Sequence, residues 1–127
     1  MAAKTVAQKM LIRPSARVLI LGAPPGYARV LGPLPKGATR LARATKGINV
    51  RQVFVRSRKE LEARLPKLKG YLAASGALWV AYPKGSTARG MDISRDVIWK
   101  YARTLGLGPV AVIAIDETWA SMRLKRV

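Results

Sequence analysis

Several residue types on which enzymes and metal proteins depend are absent from this chain of 127 residues. It has no cysteine, which excludes disulfides, thiolate metal sites and a cysteine nucleophile. It has no histidine, so the commonest general base and the commonest transition-metal ligand are both missing. No apolar run approaches the roughly 18 residues of a membrane span, and the first residues lack the apolar segment of a secretory signal. We therefore expect a cytoplasmic protein with no metal site and no membrane contact.

Acidic residues are scarce as well. The chain has 24 Lys and Arg against six Asp and Glu, which gives a formal net charge of +18. Residues 1–59 contain thirteen of these bases and no acid. Such a charge attracts polyanions without sequence preference, although bases scattered along the chain also suit an ordinary solvated surface. One hypothesis is thus a basic protein associated with RNA or DNA through Arg40, Arg43, Lys46 and Arg51. The single Phe argues against a stacking platform for bases.

What the chain does contain is an alternation of apolar runs and turn signals. Its length and its 50% apolar content suit one domain with one core, residues 1–127, in which residues 1–16 form an N-terminal helix and turn. The predicted strands are 17–22, 39–43, 49–56, 77–82, 109–115 and 119–127. The predicted helices are 3–12, 27–31, one from Ser57 to the turn at 75–76 and one from 92 to 105. Strands separated by helices predict a parallel sheet, and the short link Asp116–Thr118 predicts a final antiparallel hairpin.

Local signals refine the two longer helices. Ser57 and Glu60 have the spacing of a capping box, and Pro66 should kink or divide the helix that follows. Asp92 is the predicted cap of the next helix. Trp79 and Trp99 are predicted core residues.

The segment Ile12–Gly22, IRPSARVLILG, leads from a turn into a buried strand, and Leu68–Val80 leads from a helix into another. Both resemble parts of the Rossmann-like methyltransferases that use S-adenosylmethionine (SAM). A more specific similarity is to a family of short bacterial proteins of the same shape without an established activity. It rests on the turn Ala23–Gly26, the strand end WVAYPK at Trp79–Lys84 and the turn DETW at Asp116–Trp119. The resemblance implies an α/β domain of three layers. The fold that it implies is a reduced Rossmann-like, class I methyltransferase-like one, whose mostly parallel sheet has a C-terminal antiparallel strand.

Two positions depart from the superfamily's pattern for SAM. Gly22 and Gly26 match the outer glycines of its turn, but Pro24 stands at the middle one, where a stiff residue without an amide hydrogen hinders a cofactor's approach. The acid that such folds place after the second strand, to hold the ribose hydroxyls, is replaced by Arg43 or Ala44. We therefore expect no cofactor, and weak or absent binding of SAM.

Ligands of open α/β sheets bind beyond the carboxyl ends of the strands. We expect a cleft there between Ala23–Gly26, the loop Tyr82–Thr87 and Asp116–Trp119, suited to a phosphate or carboxylate, unless the loop is simply exposed. The predicted ligand-binding residues are Ala23, Pro24, Pro25, Gly26, Tyr82, Lys84, Ser86, Thr87, Asp116, Glu117 and Trp119. In an enzyme, Asp116 and Glu117 would be the candidate general bases, although they also suit a hairpin turn.

Three functions stay open on the sequence. The main hypothesis is a non-catalytic Rossmann-like module that binds a small anionic or nucleotide ligand or a protein partner. The alternatives are a basic protein associated with RNA or DNA and a divergent SAM-dependent methyltransferase. The missing His and Cys and the altered glycine turn favour the non-catalytic module.

Overall fold

A computed structural model of the chain describes residues 4–41, 43, 47–69, 77–85 and 90–126. The strands are β1 (Arg17–Leu21), β2 (Thr39–Leu41), β3 (Val50–Phe54), β4 (Ala77–Pro83), β5 (Leu107–Ala114) and β6 (Trp119–Arg126). The helices are α1 (Val6–Lys9), α2 (Tyr27–Leu31), α3 (Arg58–Lys69) and α4 (Arg95–Thr104). Within these ranges, none of the helices has the length and apolar character needed to cross a membrane.

The six strands form one sheet in the order β2-β1-β3-β4-β6-β5. The first four strands are parallel, and β6 runs antiparallel between β4 and β5. This arrangement confirms the predicted mostly parallel sheet and the predicted C-terminal hairpin. Because β2 and β3 lie on opposite sides of β1, the strand order reverses between β1 and β3, and that position is where open α/β sheets bind ligands.

Both faces of the sheet are buried at its central strands β1, β3 and β4. Leu61 and Leu65 of α3 and Ile98 of α4 pack on one face. Residues of α1 and α2 pack on the other face, in the same cluster as Trp79 of β4. Trp79 is 1% exposed, which confirms it as a core residue. Trp99 is 38% exposed, so its predicted core position is wrong. The reason is helical spacing, because the buried side of α4 is formed by Ile98 and not by its neighbour.

The start of α3 carries the predicted cap in a shifted form. The hydroxyl of Ser57 accepts from the Glu60 amide at 3.1 Å, as expected. The Glu60 carboxylate, however, accepts from the amide of Arg56 at 2.8 Å, one residue before the position a capping box requires. Pro66 does not divide the helix, which is continuous from Arg58 to Lys69. Proline removes one hydrogen bond there, but the buried Leu61 and Leu65 of the same helix hold it on the sheet.

The cap of α4 differs from the prediction. Ser94 is the N-cap, and its hydroxyl accepts from the Val97 amide at 3.2 Å. Asp92 lies two residues too early and accepts instead from the amide of Arg58 at 3.0 Å. Its carboxylate therefore satisfies a first-turn amide of α3, where an anion is favourable, and joins the two helices.

Candidate functional site

The site is built from the ends of β1 and β3, which lie side by side where the strand order reverses. Gly22 follows β1 with φ +72°. A Cβ at this position would lie 2.8 Å from Nη1 of Arg64 and 3.1 Å from the carbonyl oxygen of Phe54. The Arg64 side chain could move aside, but the approach to the Phe54 carbonyl is tighter than side-chain carbons usually make. Because the backbone is also left-handed, a side chain here would be strained, and the position favours glycine.

Arg64 of α3 bonds to the carboxyl end of β3. Its Nη1 donates to the carbonyl of Phe54 at 2.8 Å and lies 3.0 Å from Oε2 of Glu60. The other oxygen of Glu60 holds the amide of Arg56. The charge of Arg64 is thus matched, and the pair fixes the junction of β3 and α3.

Arg56 connects this junction to the turn after β1. Its Nη1 donates to the carbonyl of Gly22 at 3.3 Å, and its guanidinium carbon lies 5.1 Å from the ring centroid of Trp119. Trp119 in turn meets Phe54 edge to face, with ring centroids 5.0 Å apart. A guanidinium has five N–H donors, so the exposed Arg56 keeps donors for an anion. Sequence reasoning missed Arg56 because it was assigned to the strand. The available signal was a base directly after a buried strand at its carboxyl end.

The predicted turn Ala23–Gly26 leads into α2. The Tyr27 amide donates to the carbonyl of Pro24 at 3.2 Å, and Gly26 has φ +80°. Pro25 and Gly26 are exposed, whereas Ala23 packs against the core on the α1/α2 face. No described atom lies within 4 Å of a Cβ placed on Gly26, so the turn faces open space.

The loop after β4 joins the hairpin turn, because the amide of Lys84 donates to the carbonyl of Thr118 at 2.7 Å. Lys84 itself is half-buried. Tyr82 is 7% exposed and belongs to the core on the α3/α4 face, where burial raises the pKa of its hydroxyl. It therefore lies on the opposite face of the sheet from Trp119 and cannot share a wall with it. Ser86 and Thr87 lie outside the described residues.

Asp116 shapes the hairpin turn. Its Oδ1 accepts from the amides of Thr118 and Trp119, both at 2.8 Å. The oxygen of Asp116 that was predicted to accept from a ligand thus accepts from backbone amides of the turn. Glu117 is exposed, and Trp119 is 7% exposed, held between Phe54 and the guanidinium of Arg56 instead of lining an open cleft.

Of the basic residues predicted for nucleic acid, Arg40 and Arg43 are exposed at the β2 edge of the sheet. Lys46 lies outside the described residues. Arg51 is 3% exposed, so its predicted contact with nucleic acid is wrong. It is the second residue of β3, a strand that is buried at every position, and burial lowers the pKa of its guanidinium.

Solved structures share this architecture. The ribosomal protein L11 methylase from Lactobacillus delbrueckii subsp. bulgaricus is 10% identical, with a TM-score of 0.59 over 95% of this chain and 74% of its own. DhpI in complex with S-adenosylhomocysteine (SAH) is 10% identical, with a TM-score of 0.62 over 95% and 82%. The chain has the class I methyltransferase fold. LepI in complex with SAM is 16% identical, with a TM-score of 0.56 over 96% of this chain, which spans 39% of LepI.

These structures correct one expectation. LepI was solved with SAM and DhpI with SAH, which contradicts the expectation that this chain takes no cofactor. The comparisons also favour the methyltransferase alternative over the non-catalytic module. No family model matches the sequence, and no curated protein matches it.

The edge at β1 and β3 fits the amino-acid end of SAM. The free donors of Arg56 suit a carboxylate, and Gly26 leaves open space beside the turn. The ribose end finds no acid after β2, because residues 1–59 contain none. Ribose hydroxyls would therefore need a partner from another part of the chain.

Proposed function

We propose that this chain binds SAM at the carboxyl edge of β1 and β3 and uses it for methyl transfer. The observation that carries the proposal is the glycine turn at the strand reversal, with Arg56 bonded to its first carbonyl. Bound SAM supplies an electrophilic methyl group on its sulfonium. The guanidinium of Arg56 would hold the carboxylate, and the turn Ala23–Gly26 would lie along the rest of the amino-acid moiety.

The contribution of the described side chains is binding and alignment. Glu60, Asp92 and Asp116 each accept from backbone amides, so their carboxylates stabilise the edge itself. Methyl transfer between aligned groups gains its rate mainly from orientation and needs no histidine or cysteine. The substrate's nucleophile would then be brought to the methyl group without a proton relay from these three residues.

Calorimetric titration with SAM and with SAH tests the proposal. Both ligands carry the same carboxylate, so Arg56→Gln should weaken both by about tenfold, the effect of one charge-assisted hydrogen bond. Arg58→Gln is the matched control. It removes the same charge two residues away, where the guanidinium pairs with Glu62 at the surface.

Saturable binding of either ligand by the wild-type chain supports the proposal. No binding at about 1 mM of either ligand, a concentration matching only about 4 kcal/mol of affinity, would exclude it. If Arg56→Gln and Arg58→Gln bind alike, the assignment of the carboxylate to Arg56 is wrong.

A further inference from the structure

A cavity of about 440 Å³ lies at the amino edge of the sheet, on the opposite side from the proposed cofactor site. The segment from Met10 to Ala16 forms one wall. The other is formed by Asn49, Val50 and Ala77, at or just before the first residues of β3 and β4, and by Arg123 of β6. The volume is in the range of small-molecule sites.

The polar groups of this cavity are donors. Arg13 and Arg123 line it, and within the described chain neither guanidinium has a hydrogen-bond or ion-pair partner. The side-chain oxygen of Asn49 accepts from the Arg17 amide at 2.8 Å, which leaves the NH₂ of Asn49 as a further donor. The hydroxyl of Ser15 completes the set, and none of the lining residues is acidic. Two like charges around one cavity without a counterion favour an anion.

The wall is also strained. Leu11 has φ +60° and Ser15 has φ +64°, and both line the cavity. They are the two non-glycine residues with positive φ in the described ranges. The segment is fixed in this shape by backbone bonds, including Ser15 to the carbonyl of Lys36 at 2.9 Å and Ala16 to that of Arg13 at 3.2 Å. Such conformations cluster at ligand sites, because the surrounding structure must hold them against their cost.

We infer that this cavity binds a phosphate monoester of a small molecule. Two guanidiniums match the charge of a phosphate, which is between −1.5 and −2 near neutral pH. Guanidinium also binds phosphate through paired N–H donors. The inference does not depend on SAM binding, because the two sites lie at opposite edges of the sheet.

Ribose 5-phosphate is the probe, ribose is the uncharged control, and succinate is the competing dianion. We would follow the amide spectrum of ¹⁵N-labelled protein at about 0.15 M salt, where surface charges are screened beyond about 8 Å. Ribose 5-phosphate should shift the amides of residues 11–13, Ser15, Ala16, Asn49 and Ala77, since Pro14 has no amide hydrogen. Arg13→Gln and Arg123→Gln should each weaken binding by about tenfold. Lys125→Gln is the matched control, since it removes an exposed charge of β6 outside the cavity and should change affinity less than about twofold.

Several results would overturn the inference. Equal shifts by ribose, or no saturation by about 10 mM ribose 5-phosphate, would show that no phosphate site exists. An equal loss in Lys125→Gln would show general attraction to a basic chain. Tighter binding of succinate would assign the cavity to dicarboxylates. Arg13 is exposed, so its substitution should leave the rest of the spectrum unchanged and keep the test valid.

Discussion

At the scale of single residues, the buried hydroxyl of Tyr27 links α2 to the middle of the sheet. It donates to Oε1 of Gln52 at 2.6 Å, and Nε2 of Gln52 donates to the hydroxyl of Ser121 at 3.2 Å. Burial raises the pKa of Tyr27 to about 12. The sequence predicted none of these partners, because Gln52 and Ser121 are 69 positions apart and meet through strand register alone.

The raised pKa of Tyr27 predicts that the folded protein loses stability at alkaline pH. The folded chain keeps the Tyr27 proton until about pH 12, whereas the unfolded chain releases it near pH 10. Above pH 10 the free energy of unfolding therefore falls as pH rises, by up to roughly 3 kcal/mol near pH 12. Tyr27→Phe should lose this dependence. At pH 7 it should cost about 1–2 kcal/mol, because Gln52 loses a donor.

Urea unfolding at about pH 7 and pH 11 measures both effects. Burial raises the pKa of Tyr82 as well. Because the wild type and Tyr27→Phe both contain Tyr82, the difference between their alkaline losses of stability isolates the effect of Tyr27. The half-buried Tyr101→Phe serves as control. An equal alkaline loss in wild type and Tyr27→Phe would contradict the assignment.

At the scale of elements, we predict that Asp116 stabilises the turn between β5 and β6. Its oxygen caps two amides, so Asp116→Ala should lower stability by about 1 kcal/mol. Asp116→Asn keeps the accepting oxygen and should remain near wild type. Glu117→Ala removes an exposed neighbour and should be neutral. The urea midpoints of the three variants measure these effects. An equal loss of stability in Asp116→Asn and Asp116→Ala would show that the negative charge of Asp116, and not its accepting oxygen, stabilises the turn.

The elements themselves were largely predictable. Apolar runs bounded by Gly and Pro located β1 and β4, and a three-residue link located the β5–β6 hairpin. The start of α4 was harder to predict, because Asp92 and Ser94 are equally good caps by residue type, and Asp92 bonds to the first turn of α3 instead. The turns Ala23–Gly26 and Asp116–Trp119 were placed at the correct edge, but Arg56 was missed. A base directly after a buried strand indicated its place at this edge, but its bond to Gly22, 34 positions away, cannot be predicted from local pattern.

At the scale of the whole molecule, the charge is poorly neutralised. The described residues contain two ion pairs, Arg58 with Glu62 and Arg64 with Glu60, against a net charge of +18. The acid-free residues 1–59 supply β1, β2, β3 and the turn beside the proposed cofactor site. Substrates approaching that edge therefore meet a positive field, which favours polyanionic substrates.

We accordingly predict binding to nucleic acid that is sensitive to salt and indifferent to sequence. Each phosphate contact on duplex DNA adds about 0.9 to the slope of log affinity against log salt, and about 0.7 on single strands. Fluorescence anisotropy with duplex and single-stranded probes should therefore show a steep fall in affinity between about 50 and 200 mM salt.

Two double variants test whether the attraction is diffuse. If it is, Arg40→Gln/Arg43→Gln and Lys100→Gln/Lys125→Gln should reduce the slope equally, because each variant removes two exposed charges. A preference for one sequence or structure that survives at about 150 mM salt would contradict this prediction, since the screening length there is about 8 Å. A larger loss from the Arg40/Arg43 variant would then locate a specific nucleic-acid surface beside β2, within reach of the edge where methyl transfer is proposed.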